Sequence, residues 1–176
     1  MSIHNVGQRF KSRLRTIDGR SFYGLIGKLP NNRSDINFVT PRRVLEVSPN
    51  TKITVRTTFK APDRKVYLTA DNGSISQQLE IYKTFRLFEM QQLLPWSTKI
   101  KTKNPVTGLE ETTSNSPSTP IYTTLEPLSD ERDSLKIPGR RFRLITGADL
   151  KVDDKVGAYT VTKIDTLLGV TIAEVK

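Results

Sequence analysis

Apolar and polar residues alternate with a period of two along much of this 176-residue chain. That period predicts short, half-buried strands. In residues 9–27, Phe10, Ser12, Leu14 and Thr16 alternate with Lys11, Arg13 and Arg15. Asp18-Gly19 separates this run from a second one at residues 21–26. It predicts a hairpin, because a type I′ turn needs positive φ at both central residues. Residues 36–39, 42–47 and 52–60 read as further strands, the last the clearest because it is rich in β-branched residues. Residues 79–90 carry large apolar groups on both faces, which predicts a strand covered on both sides.

The closing stretch, residues 140–176, has the most regular pattern. A strand at Phe142 and Leu144 leads to a turn at Gly147, then a polar bridge, then strands at residues 158–164 and 170–175. Tyr159 and Val161 oppose Thr160 and Thr162, and Val170 and Ile172 oppose Thr171 and Ala173. Asn72-Gly73 and residues 104–108 read as turns. Residues 110–124 are rich in Ser, Thr and Pro and read as a long extended loop or arm. Residues 129–136 carry the start signal of one short helix, with Ser129 as its cap. The chain is therefore expected to be all-β, a small barrel or sandwich with a long extended loop and at most one short helix. Two organisations fit: a basic module at residues 1–96 followed by a barrel-like module at 97–176, or one intertwined domain.

Charge changes this picture more than composition does. Residues 1–66 hold 14 Lys+Arg against 4 Asp+Glu, and the remainder balances 14 against 14, so the first part carries the whole excess of +10. Three readings fit: a polyanion nearby, an acidic protein partner, or a basic face that keeps the chain soluble. Lys11, Arg13 and Arg15 repeat two residues apart and would share one strand face, toward solvent or an anion; Arg42 and Arg43 extend the basic set.

Conventional chemistry is sparse. The chain has no cysteine and one histidine, His4, so Cys/His zinc sites are excluded and no Ser-His-Asp set is apparent. Asp149, Asp153 and Asp154 lack the spacing of an EF-hand and read as a solvated acidic turn. Gly24-Leu25-Ile26-Gly27-Lys28 lacks the full phosphate-loop pattern, and its glycines read as strand or bulge positions. No catalytic residue, cofactor or metal is expected. No apolar run approaches the roughly 20 residues of a membrane span, and the first residues lack the apolar core of a signal peptide, so folding in a cytoplasm is expected. Trp96, after Pro95, marks a junction plug or an interface.

The segment Asp149-Leu150-Lys151-Val152-Asp153-Asp154-Lys155-Val156, followed by Tyr159-Thr160-Val161-Thr162-Lys163-Ile164 and Gly169-Val170-Thr171-Ile172, resembles the end of tailed-bacteriophage head-completion proteins, also called stopper, head-closure or head–tail joining proteins. In that family an X-Val-Gly-Asp turn precedes a Tyr-X-Val strand and a hairpin back; here Asp153 stands where glycine is usual. Tyr67-Leu68, Asn72-Gly73, residues 82–88, Trp96 and residues 105–109 are similar to virion neck and tail components. The resemblance implies a β-barrel subunit of a homo-oligomeric ring in the virion neck, between the portal or adaptor and the tail, closing the DNA-filled head. It implies no enzyme activity. Lys11, Arg13, Arg15, Arg42 and Arg43 would then face packaged DNA without base readout, or an acidic portal or tail ring. Trp96, Thr112, Thr113 and Tyr122 would contact neighbouring subunits. The alternative is a nucleic-acid-binding barrel that acts alone.

Overall fold

The computed structural model describes residues 11–28, 41, 43–71, 82–128 and 141–176. Fourteen strands and no helix lie among them. They are β1 (Ser12–Thr16), β2 (Ser21–Lys28), β3 (Arg43–Val47), β4 (Thr58–Lys60), β5 (Val66–Ala70), β6 (Lys83–Met90) and β7 (Gln92–Ser97). Then come β8 (Lys99–Lys103), β9 (Glu110–Asn115), β10 (Thr119–Pro127), β11 (Phe142–Thr146), β12 (Lys155–Val156), β13 (Tyr159–Leu167) and β14 (Val170–Val175). The strand expected at residues 36–39, the turn at Asn72-Gly73 and the short helix at 129–136 lie outside the described residues, as does Arg42.

The strands form two closed, six-stranded antiparallel barrels. One has the order β1-β2-β3-β6-β5-β4, the other β10-β11-β14-β13-β12-β7, and β8 and β9 form a separate two-stranded ribbon. Closure pairs every barrel strand on both sides and leaves no open edge. The chain divides into two compact units, Met1–Met90 with Leu168–Val170, and Gln91–Leu167 with Thr171–Lys176.

The first barrel follows from the alternation in its strands. In β1, Leu14 and Thr16 are buried while Arg13 and Arg15 are exposed. Leu14, Leu45, Val47, Phe59, Tyr67 and Leu87 fill the interior, each large side chain contributing about 1.5–3 kcal/mol by its burial. Gly24 on β2 faces this core. A Cβ there would stand 2.7 Å from Leu45 Cδ1 and 3.1 Å from Leu14 Cδ1, so the strand can lie this close only without a side chain. β6 is buried on both faces as expected, with Phe85 and Leu87 on one side and Phe88 and Met90 on the other.

The β1–β2 hairpin is present, but its turn is not type I′. Thr16 N donates to Arg20 O at 2.8 Å and Gly19 N to Thr16 O at 3.0 Å. Among the turn residues only Gly19 has positive φ, 93°. This is a three-residue loop, a type I turn closed by a left-handed glycine. The β4–β5 loop repeats it: Ala61 N to Lys65 O at 2.9 Å, Arg64 N to Ala61 O at 3.0 Å, with Arg64 in the left-handed position at φ 66°.

The strand expected over residues 52–60 is only Thr58–Lys60. Arg56 takes φ 68° and breaks the extended run. The buried Thr69 replaces the missing ladder bonds: its hydroxyl donates to Thr54 O at 2.7 Å and accepts from Thr57 N at 2.8 Å. Residues 110–124 are extended, as their composition implies, but they are paired rather than free, forming β9 and the first part of β10. Their many Thr residues suit a pleated backbone. The turn before β9 is built as expected: Asn104 Oδ1 accepts from Val106 N at 2.9 Å, and Gly108 has φ 70°.

In the second barrel Leu144, Val156, Val161, Ala173 and Val175 form the core with Ile121 and Leu150. The closing strands lie where the pattern places them, but β14 is turned over relative to its apparent alternation. Ala173 and Val175 face this core, because β14 pairs with β11 so that Ala173 lies opposite Leu144 and Val175 opposite Phe142. Residues directly opposite in a sheet share a face, so the inward Leu144 carries Ala173 with it. Phe142 and Tyr159 meet edge to face at 5.4 Å.

Burial pushes the Tyr67 phenol up to about 12. The Asp63 and Glu89 carboxylates act in the same sense, and the Arg43 guanidinium, 5.7 Å from its ring centre, opposes them. A folded pKa above the unfolded value near 10 gives stability that is complete below pH 10 and is lost as pH rises through 12. An alkaline titration followed by far-UV circular dichroism should therefore show the first barrel destabilised between about pH 10 and 12, and Tyr67→Phe should shift that onset upward.

Candidate polyanion interface

The hairpin register sets out the basic side chains of the first barrel. Arg13 lies opposite Tyr23 and Arg15 opposite Ser21, all exposed on the outer face. On its other side β1 meets β4, where Arg15 lies opposite Lys60. Two cations directly opposed across strands repel. No described carboxylate forms an ion pair with either one. Arg13 Nη2 donates to Ser21 Oγ at 3.4 Å, and Lys11 Nζ stands 4.7 Å from the centre of the Tyr82 ring.

A groove of about 780 Å³ opens beside this face, lined by Lys11, Arg20, Lys52, Tyr23, Ser21 and Thr51 among others, with no carboxylate among its described lining residues. Arg20 is paired with Asp18 at 2.7 Å. That bond, with the hydroxyl donated by Thr16, holds the Asp18 carboxyl down at about 2. Lys83 Nζ approaches Thr51 O at 3.5 Å and adds a further cation beside the groove.

The structure thus brings together Lys11, Arg13 and Arg15 of the sequence-predicted basic set. It does not join Arg43 to them. Arg43 shares its strand face with the buried Leu45 and Val47 and lies over the Tyr67 ring. Lys60, Lys52 and Tyr23 belong to the same surface and lie outside the predicted basic set. A two-residue turn at Asp18-Gly19 would set Arg13 opposite Gly24; the three-residue loop shifts the register by one and places Tyr23 there instead. Lys60 reaches Arg15 only through a pairing 45 positions away in sequence, Arg15 with Lys60, which local alternation does not encode.

Arg15→Glu replaces the repulsion with an attractive cross-strand pair. It should stabilise the first barrel by about 0.5–1 kcal/mol at low salt, a gain that shrinks as salt screens it. Thermal melts of the two proteins at low and high ionic strength check this; equal melting temperatures at low salt would contradict the opposed-cation geometry.

In the second barrel Trp96 on β7 is half-buried, packs against the core, and donates Nε1–H to Asp154 Oδ2 at 2.8 Å. Asp154 departs from the solvated turn expected of it. It is buried, and the same oxygen accepts Lys151 N at 2.8 Å. Asp149 and Asp153 are exposed. Asp153 has φ 73°, the left-handed region that favours glycine. Tyr122 on β10 is half-buried opposite the exposed Leu93. Thr112 and Thr113 lie on β9 of the ribbon. At the ribbon turn Val106 and Leu109 are 90% and 67% exposed.

Among the described residues no cluster of His, Cys, Asp or Glu is placed to hold a metal ion, and no helix is long and apolar enough to cross a membrane. No family model, curated protein or solved structure matches this chain.

Proposed function

We propose that this chain is a structural subunit of a homo-oligomeric ring in the neck of a tailed-bacteriophage virion, joining head to tail and closing the DNA-filled head, and that it is not an enzyme. The observation that carries this reading is the turn at residues 151–154. The head-completion motif has glycine before its aspartate. Here that position takes φ 73°, the conformation glycine serves, and the following Asp154 is buried and ties the turn to Trp96. The left-handed backbone at Asp153 supports this reading at the residue where the sequence departs from the motif.

Two surfaces fit the role. The β8–β9 ribbon stands outside both barrels, and an isolated two-stranded hairpin is marginal in water. Its exposed Val106 and Leu109 suit a neighbouring subunit, with Thr112 and Thr113 on the same ribbon and Tyr122 on the barrel wall. The row Lys11, Arg13 and Arg15 suits phosphate contact without base readout, or an acidic face of a portal, adaptor or tail protein.

Native mass spectrometry and electron microscopy of the full chain, alone and with candidate portal and tail proteins, test the reading. A closed ring is expected, and Val106→Asp combined with Leu109→Asp should shift it to smaller species while leaving far-UV circular dichroism unchanged. A chain that stays monomeric under all these conditions would sink the proposal.

A further inference from the structure

We propose that the groove beside β1 and β2 of the first barrel binds single-stranded nucleic acid, its phosphates on Lys11 and Lys52 and a base stacked on Tyr23. The inference concerns this barrel alone and stands whether or not copies of the chain form a ring.

Four observations carry it. Among the described residues the groove is lined by three cations, hydroxyls, Tyr23 and the apolar Phe22 and Ile53, with no carboxylate. Arg20 shares its charge with Asp18, so Lys11 and Lys52, with Lys83 nearby, supply the net positive field. Tyr23 is 61% exposed on the outer face of β2, directly across from Arg13. The volume of about 780 Å³ lies in the ligand-cleft range of roughly 300–1,000 Å³.

A positive groove that tracks a backbone, with an aromatic face presented beside it, is the arrangement that holds unpaired strands, since every base offers a π face. Bases in a duplex are already stacked on one another and leave Tyr23 uncovered. An acidic peptide would use the cations but has no need of the ring. Lys11 already rests on the Tyr82 ring, so its ammonium is held near the groove rather than swinging free. Serine and threonine hydroxyls from Ser21, Ser48 and Thr51 add neutral donors for phosphate oxygens.

The test is fluorescence anisotropy of the full chain with a labelled oligothymidylate of about 15 nucleotides, at about 50 and about 200 mM salt. Unlabelled duplex of the same length and polyglutamate serve as competitors. The single strand should bind more tightly than the duplex. Tyr23→Ala should weaken it roughly tenfold at both salt concentrations, while Tyr23→Phe keeps the affinity. Lys52→Glu should weaken binding and flatten its salt dependence. Both residues are exposed, and unchanged thermal melts confirm that the variants fold. Three results overturn the proposal: Tyr23→Ala binding as the parent does, duplex competing as well as single strand, or polyglutamate displacing the oligonucleotide equally well. The last assigns the groove to an acidic protein. Native mass spectra of the same samples report assembly separately, so loss of this site and loss of the ring are distinguishable.

Discussion

Phe59→Ala should destabilise the first barrel by about 3–5 kcal/mol, enough to leave many small domains unfolded at room temperature. Phe59 is fully buried on the three-residue strand β4. Its ring meets Phe22 edge to face at 5.5 Å and Tyr67 at 5.8 Å. Truncation removes the transfer free energy of the ring and leaves a cavity that these two aromatics cannot fill without leaving their own positions. The loss falls on the strand that closes the barrel against β1. A urea titration followed by far-UV circular dichroism should show the midpoint of this unit falling sharply. Phe59→Leu keeps most of the volume and should cost less than half as much. An alanine variant within 1 kcal/mol of the parent, a loss of about 1 kcal/mol being typical of an average substitution, would mean that Phe59 does not hold the core as described.

Asp154→Ala should cost the second barrel about 2–4 kcal/mol. One carboxylate oxygen accepts both Trp96 Nε1–H and Lys151 N–H at 2.8 Å, in a buried site. Removing it takes the partner from two part-buried donors at once, and each lost partner carries some of the desolvation penalty of an unsatisfied group. Asp154→Asn retains a carbonyl oxygen that can take both bonds. It should cost about 1 kcal/mol, the difference between a charge-assisted and a neutral acceptor. Trp96 is the only tryptophan in the chain, so its emission reports this site without ambiguity. The alanine variant should show a red-shifted emission maximum and an earlier urea transition, the asparagine variant neither in full. Equal stability of both variants would contradict a structural role for the carboxylate.

Local signals carried much of the fold. Asp18-Gly19 placed the first hairpin, the Asn104-Pro105 and Gly108 pattern placed the ribbon turn, and the alternation in residues 140–176 placed the closing strands. Each depends on neighbours within a few positions, where turn chemistry and side-chain period act directly. What sequence did not show depends on distant partners. Pairing of β1 with β4 and of β7 with β10 closes each barrel, and neither contact leaves a trace in the local pattern. The inward face of β14 depends on a distant partner too. Val170, Ile172, Ala173 and Val175 are all small or apolar, and only the opposing Leu144 decides which set turns inward. Arg56 holds left-handed backbone without glycine, so the break it makes was invisible to a search for turn residues. Of the candidate surface, the row Lys11, Arg13 and Arg15 was legible from its spacing. The groove was not, because residues 48–53 join it from a separate loop.

The contact between β1 and β4 is only two residues long, Arg15 with Lys60 and Thr16 with Phe59. It is the shortest seam in the first barrel, and one of its two rungs carries opposed cations. Local opening of a fold begins where few bonds resist it, so this seam is the barrel's weakest hoop, held mainly by the buried Phe59 and Thr16. Any anion that spanned the two cations would act as a clasp on it, relieving the repulsion between Arg15 and Lys60.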